Sequence, residues 1–323
     1  MSNLESAPVE VACAASPGAG TEVLAPREVP LGGPRAMRVR RTLPQRQRSL
    51  IGAWCFIDHY GPTSQRMDVP PHPHTGLQTV SWLFSGEVEH NDSAGVHAAV
   101  RPGELNLMTA GAGICHSEVS VTSPAALHGV QLWVALPDSD RHTGRDFAHY
   151  VPEPVSLAGA TARVFLGGLA GSRSPVHTFT PLLGAQVDLD AGACLDIAVG
   201  AAFEHGVLCD LGDVRVEETA LTVASLAYLN PGRSSLQLRN VGNEPARVLV
   251  LGGTPFTEEL VMWWNFVGRS HDDIVGYREQ WEDGDERFGA VHGYRGSLTR
   301  LPAPPLPATR LRPRPVTQRK ETP

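Results

Sequence analysis

Two pairs of side chains in the first half of the sequence have the types and the spacing of a metal site. His72 and His74 stand in Pro-His-Pro-His-Thr-Gly (residues 71–76), and His116 and Glu118 in Gly-Ala-Gly-Ile-Cys-His-Ser-Glu (residues 111–118). Successive side chains of a strand alternate between faces, so each i, i+2 pair projects from one side of its strand. If the two strands lie side by side, three imidazoles and a carboxylate meet at one point. A single H-x-H is common by chance. Two such pairs, each beside a Gly/Pro turn, favour a shared ion. Three neutral imidazoles and one carboxylate leave part of an octahedral shell open, which suits Fe(II) better than a closed structural zinc site. Mn, Ni, Cu and Co accept the same donors. The open positions would take O2 and a substrate oxygen.

The elements that must position these residues follow from the residues between and around them. Leu77 to Phe84 is largely apolar, Ser85-Gly86 reads as a turn, and Val96 to Val100 as a short strand. Arg101 to Glu104 forms a further turn before the apolar run Leu105 to Met108. Short strands punctuated by Gly and Pro are the pattern of an antiparallel barrel. A similar succession of strands and Pro-Gly turns recurs from Gly206 to Leu251, so an internal duplication is expected. The copy does not repeat the ligands. His205 stands alone, and Leu236-Gln-Leu-Arg occupies the place of the second pair. No metal is expected there.

The segment from His72 to Gly86, His-Pro-His-Thr-Gly-Leu-Gln-Thr-Val-Ser-Trp-Leu-Phe-Ser-Gly, resembles the first metal motif of the pirins, a branch of the cupin superfamily. Residues 102–118 resemble the second, and residues 56–62, 128–134 and 262–274 are similar to other blocks of that family. The resemblance covers roughly Arg38 to Gly289. It implies an all-β fold of two tandem antiparallel cupin (jelly-roll) barrels packed face to face, with short C-terminal helices. It also implies one Fe(II) on His72, His74, His116 and Glu118, in the first barrel only. The general cupin pattern has Glu four residues after the second His; Gln78 stands there, which removes a possible proton acceptor. The activity implied is that of a quercetin 2,3-dioxygenase, splitting a flavonol with O2. Glu118 would act both as ligand and as the base that takes the 3-hydroxyl proton. The alternative is a non-enzymatic regulator in which the iron's oxidation state switches a transcription factor or metabolic enzyme as partner. A third is a cupin whose metal only stabilises the barrel.

Other candidates read as structural. His59, in Ile57-Asp58-His59-Tyr60-Gly61, is expected to be a hydrogen-bonded histidine rather than a ligand, and His90 and His97 to face solvent. Cys115 should face away from His116 as a small core residue, with redox sensing as the sharper alternative.

Composition bounds the rest. The chain has 323 residues, 41% of them hydrophobic, with 33 Gly and 27 Pro, which favours turn-rich β structure. Net charge is -7, but from Ala290 onward seven basic residues face one acid, so the tail carries +6 and the remainder -13. There is no overall pull toward nucleic acid or anionic membrane. Five scattered cysteines without a C-x-x-C pair, no apolar run of membrane-spanning length and no secretion signal point to a reduced, cytoplasmic chain. A monomer is expected.

The domain expectations are a mobile segment at 1–35, a metal-binding barrel at 36–145, a metal-free barrel with closing helices at 146–289, and a disordered Pro/Arg-rich tail at 290–323. Arg163 to Gly168 and Val176 to Thr180 are expected as strands entering the second barrel. Helices are expected over Thr257 to Gly268 and, with Ser270 as N-cap, over His271 to Trp281. Arg38 to Phe56 reads as an edge strand and a solvated turn, or as a small basic patch for an acidic partner.

Overall fold

The computed structural model describes residues 21–31, 37–121 and 125–313. Two antiparallel barrels are each built from a seven-stranded and a four-stranded sheet, and their strand orders correspond one to one. In the first barrel the larger sheet runs Asp146–Tyr150, Leu105–Thr109, Leu77–Ser85, Leu127–Ala135, Trp54–Thr63, Met37–Leu43, Arg27–Leu31. Its counterpart runs Glu22–Leu24, Leu226–Leu229, Glu204–Leu211, Ala246–Gly253, Leu182–Leu189, Ala160–Leu166, Val155–Leu157. The duplication expected from the sequence is thus present at the level of topology.

The larger sheets meet across one apolar core, in which Trp54, Phe56 and Trp82 pack with Phe165, Leu208, Leu249 and Leu251. The Trp82 and Phe165 rings lie 4.6 Å apart. Buried indole N–H groups need acceptors. Trp54 donates to the Leu183 and Gly252 carbonyls, both at 3.2 Å, and Trp82 to Gln186 Oε1 at 2.9 Å. Each donor sits in one barrel and its acceptor in the other, so the two are registered by direction as well as by buried area.

Several expectations are corrected. The N-terminal segment is not mobile over residues 21–31. Arg27–Leu31 pairs with Met37–Leu43 in the first barrel, and Glu22–Leu24 pairs with Leu226–Leu229 in the second. Residues 1–20 and 32–36 lie outside the described residues. The composition of the segment masks an inward alternation, since Leu24, Val29 and Leu31 are buried. Asp146–Tyr150 pairs with Leu105–Thr109, so the first barrel extends past residue 145. Each barrel is completed by a strand from beyond its own compact stretch of chain. Met37–Leu43 is therefore not an edge, and Arg41 is not solvated. Arg41 Nε and Nη2 hold the Asp58 carboxylate at 2.7 and 2.8 Å, with both side chains buried. No strand forms over residues 176–180.

Only one of the two expected helices forms. His271–Asp283 is capped by Ser270, whose hydroxyl accepts from the Asp273 N–H while Asp273 accepts from the Ser270 N–H, and it ends at Gly284 in the left-handed region. Ile274, Tyr277 and Trp281 form its buried face. Residues 257–268 instead contain the hairpin Val261–Trp263 and Phe266–Gly268. Trp263, Trp264, Phe266 and Val267 are all buried, so the segment is apolar on both sides. With apolar residues on every face, helical spacing was bound to be matched somewhere. The tail is also ordered as far as residue 313. Leu301 and Ala303 are buried, the Leu301 N–H donates to the Pro71 carbonyl at 2.7 Å, and Trp281 Nε1 donates to the Leu301 carbonyl at 2.9 Å. Residues 314–323 lie outside the described residues. Among the described residues no helix is long and apolar enough to cross a membrane.

Candidate metal centre

The smaller sheet of the first barrel runs Asp68–His74, Ile114–Ser120, Val88–Asp92, His97–Val100. Asp68–His74 is its edge strand, which explains how it carries Pro70, Pro71 and Pro73: an edge position does not need every N–H. The fixed φ of proline also restrains the backbone that presents the two histidines. His116 pairs with His72 and Ile114 with His74, and an irregularity follows before Glu118 meets Val69. Past His74 the chain turns at Gly76 (φ 68°), where a Cβ would run into the Val267 carbonyl oxygen. The C-terminal hairpin closes on this turn, with the Val267 N–H donating to the Thr75 carbonyl at 3.1 Å.

Three of the four expected side chains, the histidines, converge. Ring centroids of His72 and His116 lie 4.3 Å apart, those of His74 and His116 5.0 Å, and those of His72 and His74 5.1 Å. One ring nitrogen from each lies within 4.8 Å of the others, and none of the three side chains is exposed. Burial holds all three well below the usual imidazole pKa, so they are neutral, the form that binds metal. The Nε2 atoms of His72, His74 and His116 have no hydrogen-bond partner. His72 Nδ1 donates to the Pro70 carbonyl at 2.9 Å, which leaves the lone pair on Nε2. Three buried lone pairs without donors are costly in an apolar barrel unless something occupies the space between them. The donor set therefore fits a first-row divalent cation. Trp133 walls the site, its ring 5.1 Å from His74 and stacked at 4.0 Å on Phe56.

Glu118 is buried beside this group. It clusters with His116 and His90 rather than with all of His72, His74 and His116, and Oε1 accepts from Ser81 Oγ at 3.2 Å. Burial, and then the charge of Glu118, pushes the Tyr60 phenol well above its ordinary pKa. Gln78 is buried too, donating to Thr109 Oγ1 at 2.9 Å and leaving Oε1 without a partner. Cys115 packs into the core with Met67 and Val69, and burial pushes its thiol up, away from the reactive thiolate.

Two histidines differ from expectation in environment or partner. His90, expected at the surface, is buried behind His116, whereas His97 is exposed. The signal for His90 was present: His90-x-Asp92 repeats the i, i+2 spacing of the two ligand pairs. His59 is hydrogen-bonded as expected, but across the barrels. Its Nε2 lies 2.6 Å from Asp210 Oδ1, and His128 Nε2 reaches the same oxygen at 2.7 Å. Arg247 Nη1 approaches the other Asp210 oxygen at 3.3 Å. A guanidinium so close disfavours a bound cation, and the cluster acts as an inter-barrel clasp. Neither His128 nor Asp210 carried a local sequence signal. His205 is enclosed in the second barrel and held at a pKa of about 4, chiefly by burial. It joins no potential metal-binding group among the described residues.

Comparison with known proteins agrees with this architecture. Residues 36–134 match the family model described as Pirin, and residues 184–289 the one described as Pirin C-terminal cupin domain. A Pseudomonas aeruginosa protein provisionally named quercetin 2,3-dioxygenase PA1205 is 43% identical over 286 residues, covering 87% of this chain and 89% of that one. A pirin-like protein of Caulobacter vibrioides is 34% identical over 261 residues, covering 76% of this chain and 88% of that one. Among solved structures, quercetin 2,3-dioxygenase from Acinetobacter baumannii has a TM-score of 0.85 at 37% identity, covering 91% of this chain and 97% of that one.

Proposed function

The chain belongs to the pirin family, and on that premise we propose that it is a metal-dependent oxygenase of the quercetin 2,3-dioxygenase type, acting on flavonol-like substrates with O2. In this reading His72, His74, His116 and Glu118 hold one Fe(II), with Mn, Ni, Cu and Co compatible with the same donors. The observation that carries the reading is the set of three buried, partnerless Nε2 atoms facing one point beside a buried carboxylate. When bound, such a cation would supply Lewis acidity toward the flavonol 3-hydroxyl and redox capacity toward O2.

The chain's own residues do the rest. Glu118 accepts the 3-hydroxyl proton, and the Ser81 hydroxyl on Oε1 orients that carboxylate. Ser81 Oγ also lies 2.9 Å from the side-chain amide of Gln131 on the strand Leu127–Ala135; with its one proton given to Glu118, it accepts there from the amide N–H once that amide is turned. Trp133 and Phe56 exclude water from the imidazole side and keep the local dielectric low.

The test is O2 consumption by iron-loaded protein with a panel of flavonols. Glu118→Gln should retain bound iron and lose turnover by at least about 100-fold. Unchanged turnover with iron bound removes the base role. A panel without metal-dependent O2 uptake rejects the oxygenase.

The regulator reading has less support. Three arginines of the basic segment that would meet a partner are engaged within the chain, since Arg41 holds Asp58, Arg48 holds Glu22 at 2.8 Å and Arg40 donates to the Gly61 carbonyl at 2.6 Å, which leaves Arg38 and Arg46 exposed. Silence with flavonols, together with partner capture that differs between Fe(II) and Fe(III), would favour it.

A further inference from the structure

We propose that His90, anchored by Asp92, is the positioning residue for His116. It fixes the ligand's tautomer and makes it a stronger donor to the metal. This rests on the metal-centre reading above. His90 and Asp92 lie on Val88–Asp92, which pairs with the ligand strand so that Asp92 is opposite His116 and His90 opposite Glu118. Both are buried. The His90 ring packs between His116 and Phe147, each 5.1 Å from it between centroids.

The hydrogen bonds assign the protons in one direction. Asp92 Oδ1 is fixed by the backbone N–H groups of Ala94 (2.8 Å) and Val96 (3.1 Å), and Oδ2 faces His90 Nε2 at 3.2 Å. A carboxylate only accepts, so His90 carries its proton on Nε2 and offers the lone pair of Nδ1. That lone pair faces His116 Nδ1 at 3.4 Å. His116 therefore donates from Nδ1, and its Nε2 lone pair is left aimed at the ion position, where it has no other partner.

His72 is held the same way by a carbonyl. An imidazole backed by a carboxylate is the stronger acceptor, so His116 receives more electron density than His72. Outer partners of this kind orient a ligand and raise its basicity, and their loss costs about 10- to 100-fold in metal affinity. For a redox-active ion, a more basic His116 stabilises the oxidised state, so loss of His90 should raise the reduction potential.

The test compares His90→Gln and His90→Asn with the wild type, using Co(II) affinity by chelator competition and the visible spectrum of the Co(II) form. The oxygen of the Asn side chain falls near Nδ1 and can accept from His116. The Gln amide reaches the Nε2 position and can engage Asp92, but not His116. The expected result is a loss of affinity of about 10- to 100-fold with a shifted Co(II) spectrum in His90→Gln, and a clearly smaller loss in His90→Asn, whose amide oxygen accepts from His116 without the carboxylate backing. Equal affinity and identical spectra in wild type and His90→Gln overturn the positioning role. So does an equal loss in both variants, which would mark His90 as packing alone. A wild-type chain that takes up no Co(II) overturns the metal-centre reading and this inference with it.

Discussion

Acidifying the metal-free protein should destabilise it through the ligand histidines, and the amount follows from their burial. In the unfolded chain an imidazole titrates near 6.5. In the folded chain His72, His74 and His116 are held well below that by burial. Because the folded values are depressed, stability is fully present above about pH 6.5. It is lost as pH falls below that value, where the unfolded chain binds protons that the folded chain refuses. Between about pH 7 and 5.5 the three groups together remove about 4 kcal/mol, a large share of the roughly 5–15 kcal/mol typical of a native domain.

Urea unfolding followed by tryptophan fluorescence measures this loss. The six tryptophans, Trp54, Trp82, Trp133, Trp263, Trp264 and Trp281, all lie in the first barrel or the C-terminal closing elements, so the signal reports the half that holds the site. With a slope of about 2–3 kcal/mol per molar urea, the midpoint should fall by roughly 1–2 M. Replacing all three with glutamine should abolish most of that fall. A smaller slope remains from His59 and His205, whose pKa values burial also lowers. Midpoints that coincide at the two pH values, or an equal fall in the triple variant, would refute the reasoning.

Asp58→Asn should destabilise the protein by about 3–5 kcal/mol, because it leaves the buried Arg41 guanidinium without its counter-charge; a calorimetric change equivalent to less than about 1 kcal/mol would contradict the buried pair. Truncation after residue 289 should cost about 3 kcal/mol through Leu301 burial and the lost hydrogen bond to Pro71, read from the same urea midpoints. A disordered tail would leave those midpoints unmoved.

The barrels were legible because their strands are short, apolar and closed by Gly and Pro. That signal is local. What stayed hidden depends on residues distant in sequence. Glu22–Leu24 is a strand because Leu226–Leu229 offers it an edge, and its three residues carry too little pattern to announce that. Leu301 to Ala303 lacks helix or strand grammar, yet it is ordered by a groove made of Pro71 and Trp281. The hairpin at Val261–Gly268 was misread for the opposite reason, since uniform burial erases periodicity. Arg41 looked like surface because its partner, Asp58, lies seventeen positions away on the neighbouring strand.

The convergence of His72, His74 and His116 was legible in their spacing, and the duplication shows what that spacing does. Ile114–Ser120 and Ser235–Asn240 occupy the same place in the two barrels, each paired with an edge strand that closes the smaller sheet. One presents His116 and Glu118 at i, i+2. The other presents Leu236 and Leu238 at the same spacing, both fully buried. The topology supplies inward-facing alternate positions in either case, and only the residue types decide whether they hold an ion or fill a core. Leucines satisfy their barrel by packing alone. A neutral imidazole instead carries an N–H that demands an acceptor on one side and a lone pair that demands a donor or an ion on the other. In our proposal the demand for an acceptor is what His90, backed by Asp92, meets in the first barrel, where a purely structural barrel would carry apolar residues.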